Sequence, residues 1–174
     1  MIAPPRPERD EYAPSLAGYV ARIADHEDVV AVLADQVAQV GERFERMPEA
    51  RGDYRYAPDK WSIKQVLGHL SDSERVFAYR ALRIGRGDTT PLPSFDDKAY
   101  ATEMRAGERT LADLVGEWRA VRQATLALFR HLPASGWQRR GVASDHTISV
   151  RALAYVIAGH VRHHFEMLDT RYGG

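Results

Sequence analysis

Four long segments repeat apolar residues every three or four positions, and this periodicity limits the fold more than any other feature of the chain. Such spacing is typical of amphipathic helices that bury one face. The segments run from about Ser15 to Met47, Ser62 to Gly85, Thr110 to Pro133 and Val150 to Tyr172. No convincing strand pattern separates them. The sequence therefore predicts an all-α protein, built as a four-helix bundle.

Capping residues and helix breakers set the predicted boundaries. Ser62 is followed three positions later by Gln65, which is a capping-box pattern, and Gly85 and Gly87 end that helix. Residues 88–106 contain two prolines and predict a long loop with one short helical turn. A chain of 174 residues suits one domain. We expect residues 1–14 to be a flexible N-terminal segment and residues 15–174 to be a single bundle domain.

The charge and residue usage of the chain limit its partners. Lysine plus arginine equals aspartate plus glutamate, at 24 each, so no net field favours nucleic acid or an anionic membrane. No run approaches the roughly 18 apolar residues of a membrane span, and the N-terminus has no secretory signal. We expect a cytoplasmic protein with a small-molecule partner. Because the chain has no cysteine, a metal site must use His, Asp, Glu or water, and thiol chemistry needs an external thiol.

Two histidines in the last segment are candidate metal ligands. His160 and His164 are four positions apart, so on a helix both imidazoles reach one ion from the same face. They lie within an apolar stripe that consists of Leu153, Ile157, Val161 and Leu168. A buried imidazole nitrogen needs a partner. A metal ion is one such partner, and a hydrogen bond within the core is the alternative for each ring taken singly.

His69, in the second segment, is the candidate third ligand. Gly68 precedes it as Gly159 precedes His160, although a glycine inside a helix costs about 1 kcal/mol relative to alanine. Close helix packing or room for a ligand would explain both glycines. Three neutral imidazoles leave coordination positions open, as in catalytic rather than structural metal sites. Imidazole ligands suit zinc, nickel, iron or copper.

Several other residues are rival or supporting candidates. His163 is three positions from His160 and is the main alternative to His164, but it leans away from the apolar stripe. Carboxylates could orient the imidazole N–H groups from nearby positions, and Glu166 could also act as a base. These acidic candidates are Asp72, Glu74 and Glu166, and the histidines with weaker claims as ligands are His26, His131 and His146.

Three stretches of the chain resemble the DinB-like (YfiT-like) metalloenzyme family. They are YAPDKWSIKQVLGHLSDSERVFAYRAL at 56–82, PLPSFD at 91–96, and ISVRALAYVIAGHVRHH at 148–164. The resemblance covers nearly everything from about residue 20 onward. It implies an up-down-down-up bundle whose long connection lies between the second and third helices. It also implies a divalent metal ion (Zn, Ni or Fe) bound by His69, His160 and His164, and a homodimer.

The resemblance further implies chemistry that a His-only site could support. Family activities include transfer of low-molecular-weight thiols to electrophiles, thiol-dependent isomerisation, and hydrolysis. A His-only site keeps the full charge of the ion, which lowers the pKa of a water or a thiol. We therefore expect a metal-dependent thiol transferase or hydrolase that acts on a small electrophile. The alternatives are a non-catalytic, metal-stabilised binding module and a bundle whose histidines only hydrogen-bond.

Overall fold

The computed structural model describes residues 4–173, and these are mostly helical. Its seven α-helices are α1 (Ala17–Val20), α2 (Val29–Glu45), α3 (Ile63–Gly85), α4 (Asp97–Glu103), α5 (Leu111–Arg130), α6 (Ala134–Trp137) and α7 (Val150–Arg171). Two strands, β1 (Arg140–Ala143) and β2 (His146–Ser149), form an antiparallel hairpin. Short 3₁₀ helices lie at Arg9–Glu11, Pro14–Leu16, Glu49–Asp53 and Ala106–Glu108.

The four long helices form the predicted bundle. Helix α2 packs against α5 and α7, and α3 also packs against α5 and α7, so α2 and α3 lie diagonally across the core. One apolar cluster joins the first halves of α2 and α7 to the second halves of α3 and α5, which gives the up-down-down-up arrangement. The long connection between α3 and α5 carries α4. The prediction of an all-α four-helix bundle is confirmed. Because α3 and α7 are neighbours, side chains from both can meet in one site.

Side-chain caps begin the bundle helices where the sequence places them. The Ser62 hydroxyl accepts from the Gln65 backbone N–H, and the Gln65 side chain accepts from the Ser62 N–H, which confirms the predicted capping box. Thr110 and Ser149 accept in the same way at the starts of α5 and α7. Each cap satisfies backbone donors that have no partner within the helix.

The first predicted helix, Ser15–Met47, is wrong as a continuous element. It is divided into α1 and α2 by a turn-rich stretch after Val20, and Asp28 caps the start of α2 by accepting from the N–H groups of Val30 and Ala31. The apolar repeat continues across this break because residues on both sides of it, including Val20 and Leu33, are fully buried. Periodicity alone therefore did not reveal the interruption.

The hairpin corrects the prediction of a loop without strands at 134–147. Its turn residues, Ser144 and Asp145, have positive φ angles of 51° and 64°. Such turns usually contain Asn-Gly or Asp-Gly, which is why Ser-Asp gave no hairpin signal. The backbone of Leu92, in the long connection, hydrogen-bonds to Val142 and Ser144 and so ties that connection to the hairpin.

The N-terminal segment also differs from its prediction. Residues 4–14 pack on the bundle, where we expected a flexible segment over 1–14, and residues 1–3 lie outside the described residues. Glu11 is buried, accepts a hydrogen bond of 2.6 Å from the Ser149 hydroxyl, and forms an ion pair with Arg151. Tyr12 and Ala13 are buried beside it. A buried ion pair fixes this segment, which local sequence patterns do not reveal.

The bundle core consists of two apolar clusters with polar side chains between them. One cluster takes residues 29–33, 77–84, 126–132 and 150–158 from the four long helices. The other takes residues 40–44, 63–70, 111–118 and 161–172. Gln36, Glu74, Arg122 and His160 lie between the clusters, one on each helix, and all four are buried. Within residues 4–173, no helix has both the length and the apolar character that crossing a membrane requires.

Candidate metal centre

The three predicted ligand residues meet in this polar layer. His69 lies on α3, and His160 and His164 lie one turn apart on α7. The His160 Nε2 atom is 3.0 Å from the Nε2 atoms of both His69 and His164. The candidate ligand atoms of the three side chains all lie within 4.8 Å of one another. The structure thus brings together the one histidine of α3 and the two of α7 that the sequence selected.

The spacing and the protonation of the triad both suit a divalent ion. Nitrogen ligands lie about 2.0–2.1 Å from such an ion, which places them about 3 Å from one another. Burial lowers the pKa of His69 to about 4 and that of His164 to about 2, and it holds the pKa of His160 well below its usual value. All three rings are therefore neutral near pH 7 and offer lone pairs, as metal ligands must.

Hydrogen bonding around the rings is incomplete. Ser73 lies one turn after His69 on α3, and its hydroxyl is 3.3 Å from the His69 Nδ1 atom. The same hydroxyl is 3.4 Å from the His69 Nε2 atom, so it can hydrogen-bond to either ring nitrogen. The Nδ1 atom of His164 is buried and has no partner within the described residues. The triad is thus a polar cluster that the protein alone does not satisfy.

Aromatic rings and close helix packing hold the histidines in place. Trp61 packs on His69 with ring centroids 4.6 Å apart, and Tyr19 packs edge-on against His160 at 5.2 Å. A Cβ atom on Gly159 would lie 1.9 Å from the Tyr19 carbonyl oxygen, and one on Gly68 would lie 2.4 Å from the Met104 sulfur. Both glycines therefore serve close packing, which is one of the two explanations that the sequence offered.

The remaining candidates lie outside the triad. His163 is half buried beside Tyr19, with ring centroids 5.4 Å apart, and its side chain does not join the three convergent rings. The three acidic candidates form ion pairs instead: Asp72 with Arg75, Glu74 with Arg122, and Glu166 with Arg22. Ser73 takes the supporting position that was expected of an acid. Its position four residues after His69, on the same helix face, was the sequence feature that could have identified it.

His26, His131 and His146 are exposed and do not belong to the triad. His146 follows the hairpin turn and lines a cavity beside the triad. The other two lie at a turn and just after the end of α5.

Two separate cavities reach the triad, and they share no lining residue. The first, of about 520 Å³, reaches His164 and is walled by the 55–61 segment, α4 and the end of α7. The second, of about 390 Å³, reaches His69 and His160 and is walled by the α1 region, α3, the long connection and the hairpin. Both volumes are in the range of small-molecule sites. Two molecules could therefore approach the triad by different routes.

Comparison with known proteins assigns the chain to a family. The model of the DinB superfamily matches residues 33–168, so the chain belongs to the DinB superfamily. A search of curated proteins finds none that matches it.

Two solved structures share the fold. YfiT from Bacillus subtilis, described as a probable metal-dependent hydrolase with an unusual four-helix bundle topology, has a TM-score of 0.76 at 20% identity over 94% of each chain. A mycothiol-dependent maleylpyruvate isomerase has a TM-score of 0.66 at 9% identity, over 78% of this chain and 57% of the isomerase. At these identities the likeness establishes the bundle topology and not the reaction.

Proposed function

We propose that this protein is a metal-dependent enzyme in which His69, His160 and His164 bind a divalent ion. The observation that carries the proposal is the convergence of three buried, neutral imidazoles, whose candidate ligand atoms lie within 4.8 Å of one another and include two Nε2–Nε2 pairs at 3.0 Å. When bound, a divalent ion lowers the pKa of a water or a thiol and polarises an electrophile. The description of YfiT as metal-dependent agrees with this proposal.

The surrounding side chains support the ligands and exclude water. The Ser73 hydroxyl hydrogen-bonds to the His69 ring, and Trp61 and Tyr19 cover the rings of His69 and His160. Their apolar surfaces lower the local dielectric constant, which strengthens any electrostatic interaction with a substrate. The chain thus provides a rigid, partly dry site with two entrances.

The two separate cavities favour a reaction with two organic substrates over simple hydrolysis. A hydrolase needs one organic substrate and water, whereas thiol transfer needs a thiol and an electrophile. The cavity at His164 is lined by three basic residues, Arg55, Lys60 and Lys98, and by one acidic residue, Asp59. This balance suits a low-molecular-weight thiol that carries carboxylates. We assign the thiol to this cavity and the electrophile to the cavity at His69 and His160.

The metal site is tested by measuring metal content. Protein purified without added metal, and then loaded with Zn²⁺, Ni²⁺ or Fe²⁺, is analysed by plasma mass spectrometry. We expect about one ion per chain in the wild type and a loss of at least tenfold in affinity in His69→Ala and His164→Ala. His163→Ala is the matched control, because its ring is next to the triad but does not converge with it. If both triad variants bind metal as well as the wild type does, the proposed site is wrong.

Turnover separates an enzyme from a non-catalytic binding module. The metal-loaded protein is incubated with an epoxide or a haloaromatic compound, with and without bacillithiol, mycothiol or glutathione. Thiol-dependent loss of the electrophile supports transfer, and thiol-independent loss supports hydrolysis. Metal binding without loss of any electrophile would instead favour a metal-stabilised binding module.

A further inference from the structure

Arg80 is a buried cation that has no carboxylate partner among residues 4–173. It lies on α3 and is 6% exposed. One of its terminal nitrogens, Nη2, donates to the Pro93 carbonyl oxygen at 2.7 Å and to the Ser144 hydroxyl at 2.9 Å. Both acceptors are neutral, and no acidic side chain within residues 4–173 forms an ion pair with Arg80. Because a buried charge is costly unless an opposite charge accompanies it, a second molecule is a natural counter-ion.

The contrast with Arg122 shows that this chain pairs a buried arginine when the role is structural. Arg122 is fully buried and forms a bidentate ion pair with Glu74, at 2.7 and 2.8 Å. Arg80 has no such acid, although it belongs to the same helix that supplies Glu74. Its contacts instead hold the guanidinium between the long connection and the hairpin turn.

Arg80 lines the cavity that reaches the metal ligands. One face of α3 lines this cavity with four residues, His69, Ser73, Phe77 and Arg80. They share that face because they follow one another at intervals of four, four and three residues. Eleven residues of helix separate the Cα atoms of His69 and Arg80 by about 16 Å. Helical side chains lean toward the helix N-terminus, so the guanidinium lies nearer to the triad than its Cα atom does.

The side chains that line the cavity between Arg80 and the triad indicate which kind of ligand would fit there. Phe77 and Phe95 flank the guanidinium, with their ring centroids 5.9 and 5.7 Å from its central carbon. Asp97 is the single carboxylate among the described lining residues, and it acts electrostatically on His69 and Tyr19 at the triad end. One end of the cavity is therefore cationic, its middle is aromatic, and its other end holds the triad.

We propose that Arg80 binds the carboxylate of the electrophilic substrate, which is a small carboxylic acid with a flat apolar body. This assignment rests on the proposed function of the triad. The carboxylate takes the guanidinium N–H groups that no protein acceptor uses, and the apolar body lies against Phe77 and Phe95, whose rings contact each other edge to face. The reacting carbon is then remote from the carboxylate and faces His69 and His160. Ser144 is held beside the guanidinium by the left-handed backbone of the hairpin turn.

The experiment compares an acid with its neutral amide. Phenylacetate and phenylacetamide have nearly the same shape and differ in charge, and their affinities are measured by calorimetry on protein loaded with Zn²⁺ and on metal-free protein. We expect the wild type to bind phenylacetate at least tenfold more tightly than phenylacetamide, with or without Zn²⁺. Arg80→Gln is expected to remove this preference, because its amide cannot supply a charge-assisted hydrogen bond. Arg75→Gln, on the exposed side of α3, is the control and is expected to keep the preference.

Two further measurements keep the test decisive. Urea unfolding shows whether Arg80→Gln is folded; if it is not, Arg80→Lys replaces it and is expected to keep a reduced preference, since lysine retains the charge without the planar fork. Equal binding of acid and amide by the wild type, no binding of phenylacetate, or a preference that survives in folded Arg80→Gln would overturn the proposal. A preference that requires Zn²⁺ but not Arg80 would also overturn it. Because the metal-free arm does not depend on the triad, failure of the metal site is detected separately by metal analysis.

Discussion

Two buried polar clusters lie in the same layer of the bundle, and they differ in whether the protein satisfies them. Around Arg122, four N–H···O bonds of 2.7–2.9 Å run to Glu74, Gln36 and the Leu33 carbonyl oxygen. Gln36 in turn donates to the Ala158 carbonyl oxygen at 2.8 Å. This cluster therefore links α5, α3, α2 and α7. In the histidine triad, by contrast, the His160 Nε2 atom lies 3.0 Å from two other imidazole nitrogens, and the His164 Nδ1 atom is buried without a partner among residues 4–173.

From this difference we infer that the Arg122 cluster stabilises the fold and that the histidine triad is suited to a ligand. A cluster whose donors and acceptors match contributes to a unique helix arrangement. A cluster that leaves a buried nitrogen without a partner is less stable until something binds to it, and such sites are where proteins give up stability for function. Replacing a polar residue with an apolar one should therefore lower the stability of the protein in the Arg122 cluster and raise the stability of metal-free protein in the triad.

The largest effect is expected at Arg122. Arg122→Met leaves the Glu74 carboxylate buried without its counter-ion, so we expect the free energy of unfolding to fall by about 3–5 kcal/mol. Urea unfolding monitored by circular dichroism measures this change. The double variant Arg122→Met/Glu74→Leu is the control, and it should recover most of the loss because no charge is left unpaired. A loss below about 1 kcal/mol in the single variant would contradict a structural role for this cluster.

The same contrast explains what the sequence could predict. The triad was predictable because the four-residue spacing of His160 and His164 and the apolar surroundings are local signals. The pairing of Glu74 with Arg122 was not, because the two residues are 48 positions apart on different helices. Glu74 was expected near the histidines, since periodicity places it on α3 but does not identify its partner across the core. The break before α2 and the hairpin were missed for a related reason, because tertiary contacts stabilise both.

A smaller change in stability, which depends on pH, is expected at His69 in metal-free protein. Burial lowers its pKa to about 4, whereas an unfolded histidine titrates near 6.5. Below pH 6.5 the unfolded chain binds a proton that the folded protein does not, so stability falls as the pH decreases toward 4. Between pH 7 and pH 5 this histidine alone should account for a loss of about 2 kcal/mol.

The check is to compare wild type and His69→Leu by urea unfolding at pH 7, 6 and 5 in the presence of a chelator. The window lies above the usual pKa of carboxylates, so the ion pairs of Glu11 and Glu27, whose pKa values are lowered to about 2, do not contribute. The variant should lose less stability than the wild type on acidification. Identical pH dependence in the two proteins would mean that the ring is not held neutral by burial.

The smallest change in stability is expected at His164, where the substitution should stabilise the metal-free protein. Its Nδ1 atom is buried and has no partner in the part of the chain that the structure describes, so His164→Leu removes a desolvation cost and should stabilise metal-free protein by about 1 kcal/mol. Adding metal should reverse the order, because only the wild type gains stability by binding, about 2.7 kcal/mol at a metal concentration of 100 times Kd. Thermal unfolding with chelator and with Zn²⁺ measures both changes, and His163→Leu, outside the triad, should keep the response to metal. If His164→Leu destabilises metal-free protein as Arg122→Met does, both clusters are structural and the contrast between them fails.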